Sequence, residues 1–344
     1  MTALSHTISS LLRNSRKGVA VCISLAFALT ATAQERCKDF RENIPLDSIR
    51  LSDPFILPDS ASHTYYMTGT GGLLWKSPDL KTWSGPWRMA YTDKESWMGD
   101  HPMIWAAELH KRNGRYYYFA TFTNPDAAFT DADGRRLDRR ACHVLVADRP
   151  EGPYREQTDS LFLPGNKLTL DATLWVEDGR PYMVYCHEWV QNNNGTVEYL
   201  PLKEDIGAGT VGSAPHIMFR AYDSPWSREN MPEGIKPNRV TDGPYLFRTA
   251  TGRLGCVWTS WIFHDYVQGV AYSDNGRLDG HWTQEADPIT PRNFGHSMMF
   301  RTFDGRTLMC IHSHKDVNGH YIRVPHLFEV DLTGDKLKVG NLVK

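Results

Sequence analysis

Asp178-Gly179-Arg180-Pro181-Tyr182-Met183-Val184 reads as a tight turn feeding an apolar, aromatic strand. Four more stretches share the design: Ser62-His63-Thr64-Tyr65-Tyr66-Met67, Asn113-Gly114-Arg115-Tyr116-Tyr117-Tyr118-Phe119, Thr251-Gly252-Arg253-Leu254-Gly255-Cys256-Val257 and Asp304-Gly305-Arg306-Thr307-Leu308-Met309-Cys310. Asn-Gly and Asp-Gly turns between apolar runs are strong hairpin signals. Arg115, Arg180, Arg253 and Arg306 are unequally spaced, so insertions separate copies of one unit.

A second apolar run precedes each hairpin: Leu51–Leu57, Met103–Leu109, Leu170–Trp175, Val240–Leu246 and Gly295–Phe300. Most copies end in a loop carrying an aromatic, as in Ser77-Pro78-Asp79-Leu80-Lys81-Thr82-Trp83, Glu151-Gly152-Pro153-Tyr154 and Asp279-Gly280-His281-Trp282. Strand, hairpin, strand and pinned loop describe one four-stranded blade. Five in succession imply an all-β chain folded as a five-bladed β-propeller. A large β-sandwich competes, but it does not require five in-register copies.

The chain has 344 residues, a formal charge of −2 and 41% hydrophobic residues. That is too apolar for disorder and long enough to bury a full core. The absence of a basic run argues against nucleic acid as a partner. Residues 1–33 read as a signal peptide: Arg13, Arg16 and Lys17, an apolar run over Val19–Thr30, then Ala31-Thr32-Ala33. The expectation is cleavage near Ala33, export to the periplasm or beyond, and a single monomeric propeller domain over residues 34–344. The apolar run is too short to span a bilayer, and no later segment approaches the needed length. Beyond it stand Cys37, Cys142, Cys186, Cys256 and Cys310, an odd set without a CxxC pair, so no zinc-ribbon or redox motif is present. Cys186, Cys256 and Cys310 lie in strand-like runs and are expected as small buried hydrophobes.

The run preceding each hairpin is the expected innermost strand, and there ionisable residues interrupt apolar sequence: Asp53, Glu108, Asp171, Asp242 and His296. Asp53-Pro54 and Asp242-Gly243-Pro244 also suit ordinary turns. Asp171 is harder to dismiss, because a lone carboxylate among Leu170, Ala172 and Leu174 is costly to bury. Four carboxylates in one slot of four repeats would form a ring around one cavity. Crowded carboxylates shift one another's pKa, and glycoside hydrolysis needs such a set, with one acid neutral and one base ionised.

These motifs resemble glycoside hydrolase family 43, the five-bladed arabinofuranosidases, xylosidases and arabinanases. The resemblance runs from about Leu51 to Val330. It rests on Ser52-Asp53-Pro54-Phe55, Ser77-Pro78-Asp79-Leu80-Lys81-Thr82-Trp83, Trp105-Ala106-Ala107-Glu108, Leu170-Asp171-Ala172, Thr241-Asp242-Gly243-Pro244 and Gly295-His296. It implies that Asp53 is the general base, that Asp171 tunes the acid's pKa and orients substrate, and that Asp242 stands where the family acid, most often Glu, is found. The shorter Asp arm leaves Glu229 or Glu233 as alternative acids. His296 matches the histidine that often helps hold a calcium ion through water, with a satisfied core histidine as the competing reading; no other cofactor is implied.

Trp105 and Trp175 are candidates for sugar stacking or for blade packing. Glu108, His187 and Glu188 are further candidate substrate contacts, and His312 with His314 reads as a solvated or core-lining pair. The implied partner is an oligosaccharide or polysaccharide of plant type, containing arabinofuranose, galactofuranose or xylose. Three readings compete: an inverting glycosidase, a sugar-binding propeller without an efficient acid, and a retaining fructan-cleaving enzyme. The last opens on Asn-Asp-Pro-Asn, and Leu51-Ser52-Asp53-Pro54-Phe55 lacks both Asn residues.

Overall fold

The structure, a computed structural model, describes residues 34–212, 214–228 and 238–343. The signal-peptide reading and Glu229 and Glu233 lie outside the described residues.

Five sheets, antiparallel but for one short edge strand, follow one another along the chain. Their innermost strands are Phe55–Asp59, Met103–Arg112, Thr169–Glu177, Asp242–Arg248 and Phe294–Arg301. Each lies where the first apolar run of its repeat placed it. The hairpin strands follow as expected, for example Arg180–His187 paired with Thr196–Pro201. Each innermost strand neighbours the next, and the fifth returns to the first, closing the ring. The expected five-bladed propeller is the observed fold.

Two blades exceed four strands. Arg36–Pro45 pairs onto the outer edge of the first blade, and Ala90–Tyr91 runs parallel to the outer strand of the second. The aromatic loops act as pins. Trp83 Nε1 donates to the Leu80 carbonyl at 3.0 Å, Trp282 Nε1 to that of Leu278 at 3.1 Å, and the Tyr154 hydroxyl to that of Pro150 at 3.0 Å. All three rings are buried, so each polar tip is satisfied locally while the ring fills the blade interface.

Alternation within each strand gives every blade two apolar faces, and the core divides into five clusters, one per blade interface. The cluster joining last and first blades packs Met298, Phe300, Leu308, Cys310 and Leu327 against Ile49, Phe55, Ile56, Met67 and Trp83. Among the described residues no sheet combines strands from both ends of the chain, so apolar burial closes the ring, helped by a backbone bond from Leu51 N to the Arg323 carbonyl at 3.1 Å. Cys142, Cys186, Cys256 and Cys310 are buried and unbridged, as small hydrophobes.

Candidate active site

Each innermost strand carries, within its first few residues or just before it, one residue in the left-handed region: Asp53 (φ 57°), Ala106 (41°), Asp171 (56°), Gly243 (49°) and His296 (55°). In the last four blades the pairing register slips at this residue, as at a β-bulge. A non-glycine residue there costs about 1–2 kcal/mol, so the recurrence points to a functional constraint. It also corrects the ring expected from sequence. The shared slot holds Asp53, Asp171 and His296, with Ala106 and Gly243 in the other two blades. Asp242 stands one residue before its slot and Glu108 two residues after.

A side chain from the preceding blade receives the slot N–H in every blade, and in four of the five it is a threonine or histidine. Asp53 N donates to His312 Nδ1 (3.0 Å), Ala106 N to Thr70 Oγ1 (2.9 Å), Asp171 N to Thr121 Oγ1 (2.9 Å) and His296 N to Thr259 Oγ1 (2.8 Å). Thr121, Thr259 and His312 occupy equivalent register positions, and in the third blade that position is Cys186. There Gly243 N donates to Asp171 Oδ2 instead, at 2.9 Å.

Asp53, Asp171 and His296 from the slots meet Asp242 in a cavity of about 180 Å³. His296 Nδ1 is 3.1 Å from Asp53 Oδ1 and 3.9 Å from Asp171 Oδ2. Thr70 Oγ1 donates to Asp53 Oδ2 at 2.5 Å, and the Tyr266 hydroxyl to Asp242 Oδ2 at 3.2 Å. His312 is fully buried, its ring stacked on Tyr266.

Electrostatics separate the three aspartates. Burial alone raises Asp53, yet the His296 charge and hydrogen bond, then His312 and Arg323, hold it well below the usual carboxylate range. Burial and the Asp171 charge push Asp242 up to about 8, against the pull of His296. Burial and Asp53 raise Asp171 to about 6, while His296 and the Gly243 N–H oppose. Burial disfavours charge on His296, but Asp53, Asp171 and Asp242 together push it up to about 10. Near neutrality the cavity therefore holds an ionised Asp53, an imidazolium at His296 and a protonated Asp242.

Trp105 and Glu188 line the same cavity. Glu108, Trp175 and His187, also expected near the substrate, are not among its lining residues. Glu108, two residues past the Ala106 kink, meets His110 Nε2 at 2.7 Å, further along its strand. Trp175 sits near the far end of its strand, packed on the interface of the third and fourth blades beneath Arg248. His187 is tied to Gln191 at 2.9 Å and Asn192 at 3.2 Å, over Glu198. His312 and His314 are core-lining, 0% and 4% exposed.

Leu170, Thr121, Arg140, Tyr266 and Arg323 complete the lining, and the last four were not singled out from sequence. Thr121, Thr259 and His312 stand at the same offset past the turn glycines Gly114, Gly252 and Gly305, and that recurrence was the available signal for Thr121 and His312. Nothing local marks Arg140 or Arg323.

A calcium ion takes six to eight oxygen ligands. His296 offers one ring nitrogen beyond the one facing Asp53, and among the described residues no three His, Cys, Asp or Glu side chains converge as metal ligands. The donors do not make a protein-built calcium site, and no step below is routed through one.

Buried carboxylates of opposed protonation at the axis of a five-bladed propeller define a carbohydrate-cleaving class of site. The chain belongs to glycosyl hydrolases family 43, whose family model matches residues 43–336. Among solved structures it is similar to an endo-arabinase from Bacteroides thetaiotaomicron VPI-5482, at 28% identity and a TM-score of 0.74, covering 86% of this chain and 99% of that one. An endo-1,4-beta-xylanase from the same organism (18% identity, TM-score 0.64, 88% and 98% covered) shares the fold. So does an alpha-L-arabinofuranosidase from Lactobacillus brevis (16%, 0.61, 86% and 97%). Comparison with curated protein sequences found no match.

Proposed function

We propose that the protein hydrolyses glycosidic bonds of arabinofuranose-containing glycans with inversion, with Asp53 as general base, Asp242 as general acid and Asp171 tuning the acid. The observation that carries this reading is the opposed displacement of Asp53 and Asp242 within one cavity. Asp53 takes a proton from water as that water attacks the anomeric carbon. Asp242 gives its proton to the glycosidic oxygen, the C–O bond breaks, and both carboxyls then exchange protons with solvent. A site that only binds sugar needs no acid held protonated at neutral pH, which favours catalysis over simple recognition.

Arabinofuranosides are preferred over galactofuranosides and xylosides because of the likeness to the endo-arabinase. Export after removal of residues 1–33 belongs to the same proposal, since glycan polymers are met outside the cytoplasm. Proton NMR of the first-formed product from nitrophenyl arabinofuranosides and xylosides, and from arabino-oligosaccharides, tests the mechanism. Inversion yields the opposite anomer first; the substrate's own anomer appearing first would reject it.

A further inference from the structure

The cavity wall formed by the second and third blades is built from a charge pair that the hydrolytic step does not use. Glu188 is the first residue past the second strand of the third blade, and Arg140 lies on the third strand of the second. Arg140 Nη1 donates to Glu188 Oε1, and its Nε donates to Thr123 Oγ1 at 3.2 Å. Trp105 Nε1 donates to the same Thr123 oxygen at 3.2 Å, and the guanidinium lies 5.4 Å from the Trp105 ring. Both side chains are thereby held in place before any ligand arrives.

The pair is incomplete. Glu188 is 5% exposed, yet its Oε2 has no hydrogen-bond partner among the described residues. A buried acceptor left unpaired is costly, and such atoms in folded proteins are normally met by water or ligand. Arg140 is less buried, and among the described residues its side-chain hydrogen bonds run from Nε and Nη1, leaving Nη2 for a ligand. A carboxylate oxygen beside a guanidinium in one cavity wall matches two adjacent sugar hydroxyls, one donating to the carboxylate and the next accepting from the guanidinium.

We infer that Glu188 and Arg140 form a hydroxyl-reading subsite that selects neutral sugars with two adjacent free hydroxyls, an inference that rests on the glycan-hydrolase reading. Sugars acylated at those positions lack the donor that Glu188 requires. Uronic acids bring a second negative charge to the carboxylate. The pair is a positioning and specificity element, and bond cleavage stays with the aspartates.

Steady-state kinetics of Glu188→Gln on arabino-oligosaccharides, against their O-acetylated forms, provide the test. The expected result is a KM raised about ten- to hundredfold with kcat changed by less than about threefold. Discrimination against acetylated substrate should shrink with it. Unchanged KM, or a loss confined to kcat, overturns the subsite. Arg140→Gln, on the more exposed side of the pair, gives the same readout should Glu188→Gln fail to fold. If the wild-type protein cleaves no glycoside, calorimetry with arabino-oligosaccharide separates the two ideas. Binding lost in Glu188→Gln keeps the subsite while hydrolysis falls, and equal binding, or none to the wild-type protein, rejects the subsite.

Discussion

Gly243 gives its backbone N–H to Asp171 Oδ2 at 2.9 Å, whereas in the other four blades the equivalent N–H goes to a threonine or histidine of the preceding blade. The exception follows from Cys186, a poor acceptor standing in the register position that Thr121, Thr259 and His312 fill elsewhere. An N–H donated to a carboxylate stabilises its ionised form. Asp171 is thus kept from rising as far as its burial beside Asp53 would otherwise take it.

Cys186→Thr should supply the missing acceptor and compete for the Gly243 N–H. Asp171, released from that bond, is expected to titrate higher, and the acid limb of the kcat/KM profile should move up by less than about one pH unit. A profile superimposable on wild type would show that the cysteine has no such role.

Asp242 must be protonated to act, so activity should fall as pH rises through about 8. After burial, the Asp171 charge contributes most to that high value. Asp171→Asn removes a negative neighbour, so the Asp242 pKa falls and the alkaline limb should move down by about one unit or more. His296, raised to about 10, stays charged across this range and does not set the limb. Rate profiles from pH 4 to 10 for both proteins decide the point.

Gly243→Ala tests the packing beneath His296. A Cβ at Gly243 would lie 2.6 Å from Cγ and Cδ2 of the His296 ring. Ala106 adopts the same conformation in the second blade at φ 41°, so the added backbone strain of about 1–2 kcal/mol is one the fold already carries elsewhere. The expected loss therefore reports ring displacement from Asp53: activity down about tenfold or more, with folding retained. An unaltered rate would mean that the His296 position is not critical.

Asp242→Asn should be inactive and more stable. The carboxyl titrates near 3.8 in an unfolded chain and about 8 in the folded protein. Between those values the unfolded state releases a proton that the folded state keeps, so this group weakens folding as pH rises from about 4 to about 8. Asparagine carries no such penalty. At pH 7 the variant should melt a few degrees higher, with the gain shrinking towards pH 4. A variant that melts lower at pH 7 would show that the carboxyl is stabilised there in its charged form.

Asp53→Asn removes the base while leaving a side chain of the same shape. Turnover should drop by about 10²–10⁴-fold. Affinity for arabino-oligosaccharide, measured by calorimetry, should stay within severalfold of wild type. Substantial residual activity would move the base elsewhere.

The blade count and the three aspartates were legible in the chain itself, because turns, strand alternation and pinned loops are local patterns that repeat. Asp171 stood out for the same reason, as a charge among apolar neighbours. The registers were not legible. A single residue in the left-handed conformation shifts every side chain after it, so Glu108 is carried past the cavity while Asp242 enters it from one position upstream. His312 meets the Asp53 amide across a separation of 259 residues, and Arg323 reaches Asp53 from the same last blade. Ring closure by apolar packing sets those distances, and no local sequence pattern encodes them. The charge states of the site follow from that closure, since burial and imposed neighbours lower one aspartate and raise the other two.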